Sequence, residues 1–492
     1  VSLGETQVRP TAMLWRNMAA MATEEMLRAN PIDGVVLLGG CDKTIPSLLM
    51  AAASVDIPAI VVPGGPMLTG HFKNQPLGCG TDVWRFSEDV RAVVISKEEF
   101  FNSESSMIRS KGHCNTMGTA STMGLIAEAL GTVLPGTAGT PAPDSRLLEA
   151  AHETGRTILE LVKSDRKPSN FLTKANFHNA IVALAAIGGS TNAVVHLLAI
   201  AGRVGVNLNL DDFDKLGKEV PVVANMMPSG KYLMEEFFDA GGVPAVMQEI
   251  SNLLNMDHIT VTGKSVKENI AGTENFNKDV ITPAAKPFQK AGSGIVVLRG
   301  SLAPDGAIMK VAAASPNLLT HKGKALVFDT IEEYLKVADD PNLPVTKDSV
   351  LVLKNAGPKG YPGFPEVGNL PMPKKMLDQG VTDMVRVSDA RMSGTAYGTV
   401  VLHTSPEAAV GGPLALVQNG DEIELDVPNR KINLLVSNEE LAKRKQNWKA
   451  PAARADRGWS KIYIDHVQQA NLGADLDFLV GGSGDGIPRH SH

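Results

Sequence analysis

The chain has 492 residues, too many for one ordinary hydrophobic core, so two or three domains are expected. Hydrophobic residues make up 43% and charged residues 20%, as in soluble globular proteins, and a formal net charge of −6 leaves no basic footprint for nucleic acid. No long uncharged apolar run could cross a membrane, and three cysteines are too few for a disulfide framework, which points to a reducing compartment and leaves room for a metal or redox role.

The opening Val1-Ser2-Leu3-Gly4-Glu5 resembles no signal peptide, and a start at Val close to a motif reads as a chain missing its front. Pro10 to Asn30 carries apolar residues at helical spacing with Pro near the first turn, predicting an amphipathic helix. Val35 to Leu38 then reads as a buried strand, and Gly39-Gly40 lets the backbone turn sharply into Cys41-Asp42-Lys43. A soft metal ligand thus sits beside a hard one, while Lys43 is a poor ligand unless its charge is removed. Ser47 to Ser54 predicts a helix and Pro58 to Pro63 a second strand, giving a strand-loop-helix-strand unit with its chemistry at the carboxyl end of the first strand.

Further on, Asn74 to Leu77 reads as loop, leading into Gly78-Cys79-Gly80-Thr81-Asp82, where Cys79 fits as a small residue without a special role. Gly112-His113-Cys114-Asn115 precedes a predicted helix over Thr119 to Leu130, whose exposed N-terminal amides favour a thiolate. Asp144 caps a helix running to about Lys163, Gly188-Gly189-Ser190-Thr191-Asn192 opens another through Ile200, and Leu233 to Gly242 and Val243 to Leu254 read as two more. After Lys264 the texture turns β-rich, with runs at Ile295 to Leu298, Ser349 to Leu353, Met384 to Val387, Thr399 to His403 and Leu414 to Val417; a turn at Asn419-Gly420-Asp421 joins the last to the next strand. The expected fold is α/β: a parallel-sheet α/β domain over 1–285 followed by a β-rich, barrel-like domain over 286–492.

On residue chemistry alone, Cys41 and Cys114 are balanced between cluster ligands and buried thiols. Glu5, Asp42 and Glu366 read as a solvated acid, a loop cap and a turn residue, Ser393 as a turn residue, and His113, His196 and His403 as core or surface histidines. The wording of the motifs adds a second line. Gly39-Gly40-Cys41-Asp42-Lys43-Thr44-Ile45-Pro46 resembles the signature of the dihydroxy-acid and sugar-acid dehydratases, the IlvD/Edd family. The Gly78-Cys79-Gly80-Thr81-Asp82, His113-Cys114, Gly363-Phe364-Pro365-Glu366 and Ser388-Asp389-Ala390-Arg391-Met392-Ser393-Gly394-Thr395 phrases follow in the family's order.

The resemblance implies an iron-sulfur cluster, 2Fe-2S, on Cys41 and Cys114, with a third cysteine upstream of Val1, so that this chain as written holds its cluster poorly or not at all. It implies magnesium on Glu5, Asp42, Glu366 and a carbamylated Lys43, whose carbamate supplies anionic oxygen where an ammonium would be repelled. Ser393, as an alkoxide, is implied to take the C2 proton of the substrate. The serine phrase is closer to the sugar-acid branch, so the expected reaction is dehydration of an aldonate such as arabinonate or xylonate to a 2-keto-3-deoxy acid. Dehydration of dihydroxy-isovalerate in branched-chain amino-acid synthesis, and an inactive truncated paralogue, are the alternatives. The expected partners are a small sugar acid and further copies of the chain, as a dimer or tetramer, without nucleic acid or membrane. The expected compartment is the cytoplasm, or the mitochondrion if a targeting segment precedes Val1.

Overall fold

The computed structural model describes residues 11–484, so Glu5 lies outside the described residues. Helix α1 (Ala12–Ala29) leads into strand β1 (Val35–Gly39), helix α2 (Thr44–Val55) and strand β2 (Ala59–Pro63). The two strands run parallel, in register from Val35 opposite Ala59 to Gly39 opposite Pro63, with α2 as the crossover. Small and apolar residues all round α2 bury it almost completely, and it stops at Asp56, whose left-handed backbone returns its N–H to the Ala52 carbonyl.

One expectation is corrected here. The first strand is not buried throughout: Leu37 is covered, whereas Leu38 is 73% exposed. Neighbours on a strand point to opposite faces, β1 pairs with β2 along one edge, and nothing among the described residues covers the side toward which Leu38 points.

The predicted loop at Asn74 to Leu77 is a small hairpin, β3 (Gly70–Phe72) with β4 (Gln75–Leu77). Helices α3 (Thr81–Arg91), α4 (Lys97–Met107) and α5 (Thr119–Ala129) follow, the last with every residue buried. The Asp144 carboxylate accepts the Arg146 N–H at 2.9 Å and caps α6 (Ser145–Lys163) as its sequence position dictates. After α7 (Pro168–Phe171) come α8 (Lys174–Ala186) and α9 (Asn192–Arg203), which together with α2, α5 and β2 form one large apolar core. The two helices expected next are shorter, Met234–Asp239 and Gly242–Glu249, parted by Gly241 in a positive-φ turn.

The remaining strands close into an eight-stranded barrel: β5 (Ile295–Gly300), β6 (Ala303–Lys310), β7 (Thr320–Phe328), β8 (Val350–Leu353), β9 (Arg386–Ser388), β10 (Val400–Ser405), β11 (Glu422–Asp426) and β12 (Lys431–Leu434). Around the barrel the order is β10-β6-β5-β12-β11-β7-β8-β9, mixing antiparallel hairpin pairs with parallel neighbours β7-β8-β9-β10. Alternate residues such as Val296, Leu298, Met309, Val352, Val387, Val401 and Ile423 fill its interior. Ile295, Val297 and Ile308 face outward and join the core of the α/β half, which seats the barrel on it. Leu414 to Val417 is not a strand: Pro413 lacks an N–H and opens a 3₁₀ turn that buries Leu414, and the Asn419-Gly420-Asp421 turn feeds β11 from there.

Past the barrel the chain returns to the first half. The Arg203 guanidinium at the end of α9 is fully buried, with Nε and Nη2 on the Asp475 carboxylate at 2.6 and 3.2 Å and Nη1 on Glu24 of α1 at 2.9 Å. Tyr463, Val467 and Ala470 pack with Met13, Val195 and Phe364, so the last segment pins α1, α9 and the loop that carries Glu366 together. No helix of the described residues is long and apolar enough to cross a membrane.

Candidate active site

Cys41, Asp42 and Lys43 emerge where β1 ends, on the turn made by Gly39-Gly40. Gly40 and Gly64 are back to back, and a Cβ on Gly64 would stand 2.9 Å from the Gly40 Cα, so the close approach of the two strand ends requires glycine there. Thr44 accepts the Cys41 N–H at 2.9 Å and fixes the turn. The Cys41 thiol donates to Asp42 Oδ1 at 3.0 Å, and Lys43, 2% exposed, places Nζ 2.7 Å from Asp42 Oδ2. Burial pushes the Cys41 thiol up, and the neighbouring Asp42 charge pushes it further in the same direction.

Glu366 arrives from the barrel half on a loop whose Gly363 and Phe364 both have positive φ, 102° and 50°. Arg391 holds that loop: its Nε donates to the Phe364 carbonyl at 2.6 Å and its Nη1 to Glu366 Oε1 at 3.1 Å. Glu366 is 4% exposed, and burial pushes its carboxyl up to about 7; Lys43 opposes that shift while Asp42 adds to it. The three groups therefore feel one another although they come from opposite halves of the chain. Burial likewise brings the Arg391 guanidinium down to about 9.

Ser393 is half-buried in the loop between β9 and β10. Its Oγ lies 2.9 Å from Thr395 Oγ1, which also accepts the Trp84 indole N–H at 3.1 Å, and Thr81 of α3 donates to the Thr395 carbonyl at 2.9 Å. A Cβ on Gly394 would come within 2.6 Å of the Thr119 amide and 2.8 Å of Ser190, so only glycine lets this loop press against the N-termini of α5 and α9. Asn192 is the bracket of the site. Its fully buried Nδ2 reaches Glu366 Oε1 at 2.6 Å, Thr119 Oγ1 at 2.9 Å and the Met392 carbonyl at 3.0 Å, while its Oδ1 accepts from Arg391 Nη1 at 3.1 Å. One amide thus ties the Glu366 loop to the Ser393 loop.

Cys114 sits five residues before the first residue of α5. Its thiol contacts the Cys79 carbonyl at 2.8 Å and Thr116 Oγ1 at 3.3 Å. A hydrogen bond from the Cys79 thiol brings Cys114 down to about 7 and pushes Cys79 far up. Cys79 is more than the small residue its motif suggests: it stands against Cys114, a contact between positions 35 residues apart that the sequence does not advertise. All three cysteines are free, and among the described residues no three His, Cys, Asp or Glu side chains are gathered closely enough to hold a metal ion by themselves.

The histidines also gain a place. His113 is held down to about 4 by burial and feels the Asp42 charge. His196 accepts from Arg16 through Nδ1 at 3.2 Å, which leaves its proton on a buried Nε2, and His403 lies edge-on to Phe364; among the described residues neither that Nε2 nor either ring nitrogen of His403 has a hydrogen-bond partner. The charges of Arg16 and Lys43 reach His196, and that of Arg391 reaches His403.

Comparison with known proteins follows the same division of the chain. The dihydroxy-acid/6-phosphogluconate dehydratase N-terminal domain pattern matches residues 1–269, and the C-terminal domain pattern of the same family matches residues 279–474. An L-arabinonate dehydratase of Rhizobium leguminosarum bv. trifolii is 57% identical over all of this chain and 85% of its own length. An L-arabonate dehydratase of Azospirillum brasilense is 52% identical over all of this chain and 86% of its own. A dihydroxy-acid dehydratase of Acetivibrio thermocellus is 38% identical over 97% of this chain and 85% of its own.

Proposed function

The chain belongs to the dihydroxy-acid/6-phosphogluconate dehydratase family, and from that premise we propose that it is a hydro-lyase that dehydrates an aldonate, of the arabinonate or xylonate type, to the 2-keto-3-deoxy acid. The observation that carries this reading is the bracket at Asn192, which fixes a buried carboxylate and a candidate base against each other. Likeness to the arabinonate enzymes, well above that to the dihydroxy-acid dehydratase, favours the sugar acid over dihydroxy-isovalerate.

The donor chemistry fits the expected cofactors. Two acidic groups, Asp42 and a Glu366 pushed up by burial, face one buried site whose cost a divalent cation such as magnesium would relieve, and Lys43 as its carbamate would add a third anionic donor. Glu5 belongs to the same proposed set. Cys41 and Cys114 are free thiols suited to an iron-sulfur cluster, 2Fe-2S by family likeness. When bound, the two would supply Lewis acidity to the substrate carboxylate and C2 hydroxyl and to the departing C3 hydroxyl.

The residues of the chain do the rest. Ser393, as its alkoxide, takes the proton from C2, the C2–H electrons form the C2–C3 double bond, and the C3 hydroxyl departs with its C–O electron pair and receives that proton from Ser393 to leave as water, which restores the alkoxide. The resulting enol then ketonises at C2. Thr395, held by Trp84 and Thr81, keeps the Ser393 hydroxyl turned, and Asn192 with Arg391 keeps Glu366 in place. The α/β and barrel parts act as two domains divided near residue 285 with the site at their seam, in a cytoplasmic homodimer or homotetramer.

The experiment is an assay of anaerobically purified, iron- and magnesium-loaded protein with L-arabinonate, D-xylonate and 2,3-dihydroxy-isovalerate, following 2-keto acid formation alongside iron and sulfide content. Turnover of an aldonate in preference to dihydroxy-isovalerate supports the reading. Preference for dihydroxy-isovalerate moves the chain to the branched-chain reaction, and a loaded protein that turns over none of the three is an inactive relative.

A further inference from the structure

Lys310 ends β6. Its neighbour Met309 points into the barrel with Val296 and Leu298, so strand alternation turns Lys310 outward, beside its register partner Ile295 and on the face where Ile295, Val297 and Ile308 meet the α/β core. On the other side, Val401 pairs with Met309 and Leu402 with Ile308, which sets Val400 beside Lys310. Val400 and Leu402 pack with Met392 and Ala396, the residues that flank Ser393. Just beyond, the Ala313 carbonyl accepts the Gly398 N–H at 2.8 Å, and Ala312 lies against Gly188, two residues before Ser190. The amine is thus enclosed in the seam that holds the serine loop.

It is 1% exposed, and Nζ has no hydrogen-bond partner among the described residues. The charged and titratable groups on the elements around it are committed elsewhere: Arg299 of β5 to Asp211, Arg386 of β9 to Asp383, and His403 of β10 buried and neutral. None of them perturbs Lys310, and burial alone brings the amine down to about 7. A lysine sealed from water without a partner is unfavourable unless something that enters the seam completes it.

We propose that Lys310 is a substrate-binding residue, whose amine binds an oxygen of the polyhydroxylated carboxylate anion held beside Ser393. The inference rests on the aldonate dehydratase reading and adds a contact on the barrel wall to it. Its physical consequence is proton uptake: the anion binds the ammonium form, so above pH 7 each binding event draws a proton onto Lys310. The Michaelis constant then rises by about tenfold per pH unit above 7.

The test uses the metal-loaded full chain. Ser393→Ala binds L-arabinonate without consuming it, and calorimetry at pH 8 in two buffers of different ionisation enthalpy is expected to show uptake of about 0.9 proton per ligand. The Ser393→Ala/Lys310→Met double variant is expected to show none, and Lys310→Met alone to raise KM at pH 7 by about 30-fold and to lose the rise above pH 7, with kcat changed less. Wild-type-like KM in Lys310→Met, or no proton uptake by Ser393→Ala while the wild type turns over aldonate, overturns the proposal. The uptake measurement keeps Lys310 in place, so absence of uptake overturns the proposal even if Lys310→Met fails to fold. Absence of aldonate turnover by the wild type overturns the dehydratase reading first, and the inference with it.

Discussion

Replacing Asn192 by Ala isolates the bracket between the Glu366 and Ser393 loops. The change removes a 2.6 Å hydrogen bond to a buried carboxylate, two neutral bonds at 2.9 and 3.0 Å, and the acceptor of one Arg391 N–H. A bond to a charged group is worth about 1.5–3 kcal/mol and a neutral one about 0.5–1.5, so even the low ends leave the site weaker by roughly 4 kcal/mol. The Ala methyl cannot satisfy Glu366 Oε1, and the removed bond is one that lowers the Glu366 pKa, so that carboxyl moves further up. Once the Met392 carbonyl is released, Ser393 is no longer fixed relative to Glu366. A displacement near 1 Å of a reacting group costs on the order of 100-fold in rate. The expected result is a kcat on aldonate reduced by about 100-fold with KM altered far less, together with a lower thermal midpoint. The assay is steady-state kinetics on loaded enzyme with metal content matched between variants. A kcat within threefold of wild type at equal metal occupancy would refute the bracket, because the two loops would then be held by other contacts.

Three further outcomes follow from the same structure. Thr395→Val deletes the hydroxyl between Ser393 and Trp84 and should lower kcat by about tenfold, the worth of one hydrogen bond, with Thr395→Ser restoring most of it; equal rates in both variants would sink the role. Burial, with the nearby Glu407 carboxylate adding to it, pushes Asp389 up to about 7 from 3.8, so its stabilising neutral form is complete below pH 4 and lost as pH rises through 7, up to about 4 kcal/mol in all. Asp389→Asn should therefore flatten the fall in thermal midpoint between pH 5.5 and 8, and an unchanged slope counts against it. Asp475→Asn strips the fully buried Arg203 of its bidentate partner, a loss of about 3–5 kcal/mol, and should speed tryptic cleavage at Lys461; an unaltered cleavage rate would show that the last segment is held without that pair.

Much of the scaffold was legible because its signals are local. Gly39-Gly40 marks the turn after β1, Asp144 marks the start of α6, and β-branched runs mark β5, β8, β9 and β10. Where a local signal competed with a stronger one the reading failed, as at Leu414 to Val417, where Pro413 makes a 3₁₀ turn of an apolar run. The motif residues Asp42, Lys43 and Glu366 do converge, but what holds them is non-local: Asn192 lies 174 residues from Glu366, and Arg391 is a basic residue whose fully buried setting no pattern announces. Lys310 follows an apolar run and carries no mark of its own. Cys79 was read as small because its sequence neighbours are small; its partner Cys114 comes to it only through the fold.

The closure of the barrel sets the order in which this protein can be finished. Its first strand, β5, is sealed by its last, β12, through the pairing of Arg299 with Lys431, and both Glu366 and Ser393 lie in the chain between them. A ribosome must therefore release the polypeptide past Leu434 before that ring can shut, and past Asp475 before Arg203 is neutralised. Until then the nascent α/β half presents the apolar ground that Ile295, Val297 and Ile308 later cover. The seam between the two halves is thus completed late, and the waiting surface is what a chaperone would have to shield in the meantime.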